Sequence, residues 1–300
     1  MIGLRGIPSK DGGVEVAVGE LSPLLINEDI EVCKEVIYNK IKIPFLYFRR
    51  PFWDKFKGAD YTYTPDTLMP DGKRNQLAST HDLGQNFSKA FNIKIRNKNE
   101  KEQFAWQTCF GPGIWRIMAA IIGIHGDDKG LILPFDMAPL QIVIIPITFT
   151  NKKNKYKQVI KKCKEIESQL KKLNYKAKFD ESGESPGFKY NKWELLGVPL
   201  RIEIGPNEIK NKKLSIVLRT EKEKKQILIS DLLKEIKKNA IKIDRNIQKK
   251  ADIYFKNNTR NSDSLKKLKT LIEKYRGFVK VPFCSMEKDG EKCADILKSE

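Results

Sequence analysis

The sequence predicts a multidomain protein of the α+β and α/β classes, with an antiparallel sheet in its first half and a smaller α/β domain after it. Its 300 residues are enough for two domains of ordinary size and a small third piece. Residues 43–72 hold a strand candidate and then a passage rich in proline and glycine, which favours antiparallel strands joined by turns. After Pro139, a fully apolar strand precedes an amphipathic helix and further strands, which is typical of an α/β sandwich with a mainly parallel sheet.

The first half contains few periodic segments. Residues 1–28 show no sustained period and receive no assignment. Apolar residues at helical spacing predict a helix over residues 29–40, and the Asp-Gly pair at residues 71–72 indicates a hairpin turn. Residues 114–124 are apolar nearly all round, which predicts a buried helix whose one charge, Arg116, needs a partner.

The second half alternates strands with helices. We expect strands near residues 142–147, 176–179, 199–204 and 214–218, with an amphipathic helix between the first two. Ser230 is a suitable N-cap for a long basic helix. We divide the chain into four segments: an unassigned stretch 1–28, an antiparallel part 29–138, an α/β part 139–229 and a last segment 230–300, whose identities as domains come from the resemblance described below.

Positive charge is concentrated in one half of the chain. Residues 151–300 contain 39 lysines and arginines and 21 aspartates and glutamates, a net charge of +18, whereas residues 1–150 carry +1. A contact with nucleic acid or another anionic surface in the second half would account for this asymmetry. A lysine-rich solubilising surface would account for it equally well, and composition alone does not separate the two.

Neither a membrane segment nor a disulfide framework is indicated. The longest apolar stretch, residues 140–149, is too short to cross a bilayer, and the first residues lack a basic region followed by an apolar one. The five cysteines are an odd number without a spacing pattern, which favours reduced thiols. We therefore expect a cytoplasmic protein that makes no membrane contact.

One of the two histidines lies in a polar cluster. His81 falls within residues 76–88, which surround it with amides, hydroxyls and a glycine. A lone histidine is more often structural than functional, but this density of polar groups suits recognition of a small polar ligand in a pocket.

A second candidate lies where a strand meets the helix at residue 114. Gly111 and Gly113 allow close backbone approach there, and Arg116 on the first helical turn could meet a phosphate or stack on a base. A helix start with an ion-paired arginine would explain the same residues. The residues alone leave both interpretations open.

Six passages share a pattern with a known family. They are RPFWDKFKGAD (residues 50–60), MPDG (69–72), THDLGQNFSK (80–89), IHGDDKGLILP (124–134), WELLGVPLRIEIGP (193–206) and VPFC (281–284). In this order they resemble the archaeal and eukaryotic type of prolyl-tRNA synthetase, a class II enzyme. The resemblance implies part of a class II antiparallel-sheet catalytic domain, an anticodon-binding domain at residues 139–229 and part of a C-terminal zinc-type domain.

The resemblance implies ATP-dependent activation of proline and its transfer to tRNA(Pro), with ATP and Mg²⁺ as cofactors. Arg116 is similar to the family's motif 3 arginine, a catalytic residue that holds the bent triphosphate or stacks on adenine. Gln76 and Ser79 fall where the family contacts ATP and its magnesium, and Gly113 falls where the family contacts ATP.

The same resemblance implies contacts to the other two substrates. His81 falls where proline is bound, and Phe110 falls at the usual aromatic residue of that pocket. Lys189, in the anticodon-binding region, is expected to contact tRNA. The full-length family is implied to form homodimers.

The chain departs from the family pattern in two places. Residues 111–115 are one residue longer than the eukaryotic pattern, and motifs 1 and 2, which should precede residue 30, are not found. Motif 2 supplies the arginine that meets the α-phosphate, and Arg5 stands in an unsuitable context. We therefore expect a partial chain that is inactive by itself. The alternative is a non-catalytic tRNA-binding protein derived from a class II synthetase.

Cys284 and Cys293 resemble the first two of four zinc ligands in the family's tail domain. Two thiolates cannot close a tetrahedral Zn²⁺ site. A zinc site and a pair of free cysteines both stay open at this point.

Overall fold

The computed structural model describes residues 13–17, 22–97, 99–147, 153–221 and 223–299. In chain order, their strands are β1 (Gly13–Ala17), β2 (Leu46–Arg49), β3 (Tyr61–Leu68), β4 (Arg74–Gln76), β5 (Ala78–Gly84), β6 (Lys94–Arg96), β7 (Glu102–Phe104), β8 (Trp106–Pro112), β9 (Ile142–Pro146), β10 (Ala177–Phe179), β11 (Leu200–Ile204), β12 (Lys213–Leu218), β13 (Lys224–Leu228), β14 (Thr259–Asn261) and β15 (Phe278–Lys280). Their α-helices are α1 (Ser22–Cys33), α2 (Asn86–Ala90), α3 (Ile114–Ala120), α4 (Lys153–Lys172), α5 (Pro186–Leu195), α6 (Pro206–Lys210), α7 (Leu232–Asn257), α8 (Leu265–Lys274) and α9 (Glu291–Ser299). Among these described helices, none is both long enough and apolar enough to cross a membrane.

The chain divides into two compact units. One comprises Met1–Asn39, Ile43–Ala120 and Tyr254–Glu300, and the other comprises Lys40–Lys42 and Ile121–Ile253. The four segments expected from the sequence have other bounds, and those bounds stay a prediction.

The first unit is built on an antiparallel sheet. Its strand order is β1-β8-β5-β3-β2, and β4 pairs with the end of β3. The expected hairpin joins β3 to β4, and Gly72 in its turn has a φ of +80°, which residues with a Cβ rarely adopt. α1 packs on β5 and β8, so it covers one face of the sheet. The expected antiparallel catalytic-type sheet is confirmed.

The helix expected at residues 114–124 is present, but the prediction that it is buried is wrong. α3 continues after Ala120 as a π-helical turn, Ile121–His125. Trp115 is 80% exposed, and Met118 and Ile122 on the following turns are also exposed. Ala120 and Ile124 mark the covered side. The helix is therefore apolar on all sides, although only one of its sides is covered by the rest of the protein.

The tail of the first unit contains a two-stranded parallel sheet, β14 and β15, followed by α9. Phe48 of β2 packs against Phe278 of β15 with ring centroids 5.8 Å apart. Arg49 also forms an ion pair with Glu287 at 2.5 Å. These contacts attach the tail to the β2 edge of the antiparallel sheet.

The second unit is a three-layer α/β sandwich. Its sheet has the order β10-β9-β11-β12-β13, in which the first three strands are parallel and the last two are antiparallel. Ile142 and Ile144 of β9 face the core formed with α4 and α7, while Val143 and Ile145 face Trp193 of α5. Burial on both faces explains the uninterrupted apolar sequence of β9. The sheet is mixed, whereas the sequence predicted a mainly parallel one.

Two helix starts show how the second unit is capped. α5 begins with Pro186 at its first position, and Ser185 Oγ accepts the Phe188 N–H at 3.3 Å. Ser230, the expected N-cap of the long basic helix, lies inside a 3-10 turn, Ile229–Asp231, and α7 begins at Leu232.

Candidate active site

Ser79 and His81 lie on one face of the antiparallel sheet, on its central strand β5. Residues opposite one another in antiparallel strands share a face, and successive residues alternate between faces. Ser79 pairs with Gly111, and His81 pairs with Thr62 and Cys109. A Cβ at Gly111 would lie 3.6 Å from Ser79 Oγ, so the glycine leaves the space beside this hydroxyl open.

His81 is held by a threonine and an aromatic ring. Its Nδ1 lies 3.0 Å from Thr62 Oγ1, and the Phe56 N–H donates to the same oxygen at 3.0 Å. The arrangement that satisfies every group has the hydroxyl donating to Nδ1, which places the ring proton on Nε2. The Phe56 ring centroid lies 4.9 Å from the imidazole centroid. Burial lowers the pKa of His81 from its ordinary value, so at pH 7 Nε2–H is a neutral donor suited to a ligand oxygen.

Gln76, Gly113 and Arg116 meet where β4 approaches α3. Arg116 Nη1 donates to Gln76 O at 3.5 Å, and Asn75 Nδ2 donates to Arg116 O at 2.9 Å. The Gly113 N–H donates to Leu77 O at 2.8 Å, and a Cβ at Gly113 would lie only 2.9 Å from that oxygen. The close approach therefore requires glycine. The interpretation of Arg116 as an ion-paired arginine finds no support, because its exposed guanidinium makes no ion pair with any residue that the structure describes.

A buried ion pair supports the side chain of Gln76. Arg50 Nη2 donates to Asp66 Oδ2 at 2.7 Å and to Gln76 Oε1 at 3.3 Å. The Arg50 side chain is 7% exposed and that of Asp66 is 0% exposed. Since the amide oxygen of Gln76 accepts from arginine, its Nε2 is the part that remains to donate to a ligand.

Among the described residues, three guanidiniums and two carboxylates lie in the contact network around Gln76. The guanidiniums of Arg50, Arg74 and Arg116 gather there, and the carboxylates of Asp66 and Asp54 are the acids that pair with them, at 2.7 to 3.5 Å. The surplus of positive charge favours an anionic ligand such as a phosphate.

Phe110 lies on the opposite face of the sheet from His81. It pairs with Thr80, whose Oγ1 is 3.4 Å from Tyr47 Oη, and Tyr47 is hydrogen-bonded to Cys33 of α1. The structure therefore does not bring Phe110 and His81 into one pocket, because they occupy strand positions of opposite parity. A proline contact by Phe110 stays a prediction.

The sequence-based selection did not include Arg50, Thr62 or Asp66. A signal was available, because β3 places polar residues at every second position, Thr62, Thr64 and Asp66, and a period of two indicates one face of a strand. All three are buried, and Asp66 Oδ1 and Thr64 Oγ1 have no hydrogen-bond partner in the described part of the chain. A buried polar stripe of this kind is typical of a functional face.

Lys189, the expected tRNA contact, is buried in the second unit. Its Nζ donates to Asp180 O at 3.0 Å and lies 3.8 Å from Asp180 Oδ1. Trp193 Nε1 donates to Asp180 Oδ2 at 2.7 Å, and Ser182 donates to Oδ1. Burial would raise the pKa of Asp180, but the hydrogen bonds from Ser182 and Trp193 and the charge of Lys189 hold it below its ordinary value. The observed role of Lys189 is structural, and its contact with tRNA stays a prediction.

Exposed cations and aromatic rings surround this buried network. Lys192 Nζ lies 4.9 Å from the Trp193 ring, and Lys178 Nζ lies 5.5 Å from it. Phe188 is 54% exposed, and Arg201 stacks over Tyr190 at 4.0 Å. The exposed lysines Lys178 and Lys192, together with the exposed Phe188 ring, suit the phosphates and bases of single-stranded RNA.

Cys284 and Cys293 come together in the tail. A hydrogen bond with the Cys284 side chain raises the pKa of Cys293 above its ordinary value. In the described residues no third histidine, cysteine, aspartate or glutamate joins them as a possible metal ligand. The two thiols therefore do not make a complete zinc site, which needs four ligands.

Comparisons with known proteins cover both units. Residues 141–239 match the family model described as "Anticodon binding domain". The protein named "Proline--tRNA ligase" from Thermofilum pendens is 42% identical over 274 residues, which are 91% of this chain and 55% of that protein. The protein of the same name from Methanocaldococcus jannaschii is 41% identical over 260 residues, which are 86% of this chain and 56% of that protein. The chain is homologous to the archaeal prolyl-tRNA synthetases.

A solved prolyl-tRNA synthetase has the same fold. The Giardia lamblia enzyme, in complex with prolyl-adenylate, matches with a TM-score of 0.90 and 33% identity, over 95% of this chain and 60% of that one. The class II fold expected from the resemblance is confirmed by this match. The chain spans 55% and 56% of the length of the two archaeal prolyl-tRNA synthetases above.

Proposed function

We propose that the chain contributes the proline- and ATP-binding face and the anticodon-binding domain of a proline--tRNA ligase. The reaction is the ATP-dependent activation of proline and its transfer to tRNA(Pro). The observation that carries this proposal is that the neutral imidazole of His81 and the guanidinium of Arg116 belong to the same antiparallel-sheet unit. The chain is also similar to a proline--tRNA ligase over 91% of its own length.

The chemistry of this face suits the two small substrates. His81 and Ser79 present polar groups on the central strand and take the proline and the adjoining part of ATP. Arg116 and the Nε2 group of Gln76 contact the phosphates and stabilise their negative charge. Both groups are already in place before the acyl phosphate bond forms, so they need not reorient during the reaction. Proline attacks through its carboxylate, and pyrophosphate leaves.

The two metal ions implied by the family, Mg²⁺ and Zn²⁺, differ in how well the described residues could bind them. Ser79 offers a hydroxyl where Mg²⁺ is expected beside ATP, and the ion would neutralise phosphate charge there. Zn²⁺ has two candidate ligands, Cys284 and Cys293, and the described residues do not complete the set. No step of the proposal depends on zinc.

The test is binding of a non-hydrolysable prolyl-adenylate analogue to the 300-residue chain, measured by calorimetry. We expect His81→Ala and Arg116→Met each to weaken binding by roughly tenfold or more, since each removes a polar contact to the ligand. Arg96→Met, which removes an exposed arginine from β6, is the matched control and leaves the affinity unchanged. The alanyl analogue binding as tightly as the prolyl one would contradict the assignment of proline.

A second candidate is a tRNA-binding protein without catalysis, which the net charge of +18 over residues 151–300 favours. Titration with tRNA(Pro) and with an anticodon mutant separates the two. Discrimination between the tRNAs without any binding of the adenylate analogue would support this second candidate over the first.

A further inference from the structure

A cavity of about 500 Å³ lies in the second unit beside α7. It is distinct from the sheet face that carries Ser79 and His81 and from the cations and aromatic rings around Trp193. The polar groups that line it include Lys249, Lys250, Thr220 and Asn246, and Asp127 and His125 lie on its wall. Its volume is in the range of sites for small organic ligands.

Two lysines of the cavity make no ion pair in the described part of the chain. Lys249 and Lys250 make no hydrogen bond or ion pair with any residue in the described ranges. Lys242, earlier on the same helix, is by contrast paired with Glu221 at 2.7 Å. Positions 246, 249, 250 and 253 of α7 all line the cavity, which is the spacing of one helix face. The two ammonium groups are therefore available to an anion.

Among the described residues that line the cavity, the one carboxylate, Asp127, is already paired with an arginine. Arg219 donates to both oxygens of Asp127, and it also donates to Gly130 O at 3.2 Å and to Glu194 O at 3.2 Å. This buried guanidinium fixes the wall, since it joins the loop at Asp127 to α5. Asp127 therefore forms no ion pair with either lysine, and the charge of Arg219 offsets its repulsion of an entering anion.

Thr220 adds a neutral donor. Its Oγ1 accepts from Asn246 Nδ2 at 3.2 Å, so the hydroxyl hydrogen remains free to donate into the cavity. The positive charge of Lys250 also influences Asp127 and His125 on the cavity wall. The hydrogen bond from Arg219 lowers the pKa of Asp127 to about 2, and the charge of Lys250 contributes to that shift. Burial lowers the pKa of His125, and the charge of Lys250 lowers it further.

We propose that this cavity binds a phosphate group through Lys249, Lys250 and the hydroxyl of Thr220. All three groups are donors and two are cationic, which is the chemistry that recognises phosphate oxygens. Ile132, Ile247 and Ile253 line the rest and suit the apolar part of a phosphorylated ligand. The phosphate comes from a free phosphorylated small molecule or from an RNA backbone. The site goes beyond the proposed function, which does not require it.

The experiment titrates the 300-residue chain with inorganic phosphate, with AMP and with a single-stranded RNA oligonucleotide at low salt. Calorimetry gives the affinity, and amide resonances of Thr220 and Asn246 locate the site. We expect the Lys249→Met, Lys250→Met double variant to weaken phosphate binding by about tenfold or more, and Thr220→Val to weaken it less, by about threefold. Unfolding curves confirm that each variant is folded.

The matched control is Lys237→Met, Lys238→Met, which removes the same charge from exposed positions of the same helix. If the cavity variant alone weakens AMP and phosphate but leaves RNA unchanged, the ligand is a free phosphorylated molecule. If it weakens RNA as well and phosphate competes with RNA, the source is the RNA backbone. Equal losses in the cavity and control variants, or no phosphate-dependent shift at Thr220 and Asn246, would overturn the proposal.

Discussion

Arg50 and Asp66 form an ion pair with an N–O distance of 2.7 Å; both side chains are buried, and Asp66 lies on β3 opposite Gln76 of β4. The same guanidinium donates to Gln76 Oε1, so the pair also fixes the orientation of a candidate ATP-binding amide. The packing of the sheet and the geometry of the candidate site therefore depend on one interaction.

The first prediction concerns this pair. Asp66→Asn should lower the free energy of unfolding by about 3 kcal/mol, because it leaves the buried charge of Arg50 with the exposed Asp54 carboxylate, at 3.5 Å, as its paired acid in the described residues. Urea denaturation measures the change. Arg74→Met is the control, since it removes a half-exposed cation from the same carboxylate and should cost less than ~1 kcal/mol. Equal losses of unfolding free energy in the two variants would show that the buried Arg50–Asp66 pair contributes no more to stability than the half-exposed Arg74–Asp66 pair.

The second prediction separates a structural lysine from an exposed one. Lys189→Met removes the buried donor to Asp180 O and should destabilise the second unit by about 1–3 kcal/mol. Lys192→Met removes an exposed cation beside Trp193 and should weaken tRNA binding with little effect on stability. Denaturation and tRNA titration are measured on both variants. A loss of tRNA affinity in Lys189→Met at unchanged stability would instead support the direct contact expected from the sequence.

The third prediction concerns the acid sensitivity of Asp127. The hydrogen bond from Arg219 lowers its pKa to about 2 from an ordinary 3.8, so its contribution to stability is present above the ordinary value and is lost as the pH falls towards 2. Arg219→Lys should raise this pKa towards 3.8 and flatten the dependence of unfolding free energy on pH in that window. Carbon NMR of the carboxyl group gives the pKa. Asp128→Asn serves as the control, and a pKa that stays near 2 in Arg219→Lys would rule out the guanidinium as the cause.

The fourth prediction is that tRNA binding by the chain depends steeply on salt. Each phosphate neutralised on a single strand should contribute about −0.7 to the slope of log K against log salt concentration. The net charge of +18 over residues 151–300 provides for several such contacts. A salt titration with tRNA(Pro) and with an anticodon mutant tests this, and base recognition should persist at higher salt. Identical affinities for the two tRNAs at every salt concentration would show that residues 151–300 bind RNA through their positive charge alone, without reading the anticodon.

The fifth prediction is that the 300-residue chain holds zinc weakly and at less than one ion per chain. Cys284 and Cys293 are hydrogen-bonded to each other, but two thiolates leave half of a tetrahedral site unfilled. Metal analysis after chelator treatment and repurification is the measurement, with Cys284→Ser as the comparison. One tightly held zinc ion that survives chelation and disappears in Cys284→Ser would show that other ligands exist.

Periodicity predicted the α/β unit well because its apolar positions follow its geometry. Ile142, Ile144 and Ile145 are 0% exposed, as an unbroken apolar strand requires, and α4 buries Val159 and Cys163 at helical spacing. The same logic failed at α3, where Trp115 is apolar and exposed. Composition reports what a side chain prefers, and it does not report whether another segment covers it.

The candidate site was predictable only in part. Gln76, Gly113 and Arg116 were identified by resemblance, and the structure does bring them together. Phe110 and His81 lie on opposite faces of the sheet because of the register between β5 and β8, and this register cannot be read from the sequence. Lys189 is buried with its Nζ donating to the main-chain oxygen of Asp180, nine residues earlier, and a lysine in a basic region gives no sign of this contact in the sequence.

The exposure of Trp115 has a practical consequence. It is 80% exposed and directly precedes Arg116, whereas Trp193 is 6% exposed and the other two of the four tryptophans are partly buried. Collisional quenchers in the solvent therefore reach the Trp115 indole first. Its fluorescence provides an intrinsic, label-free signal for any ligand that arrives at the neighbouring guanidinium.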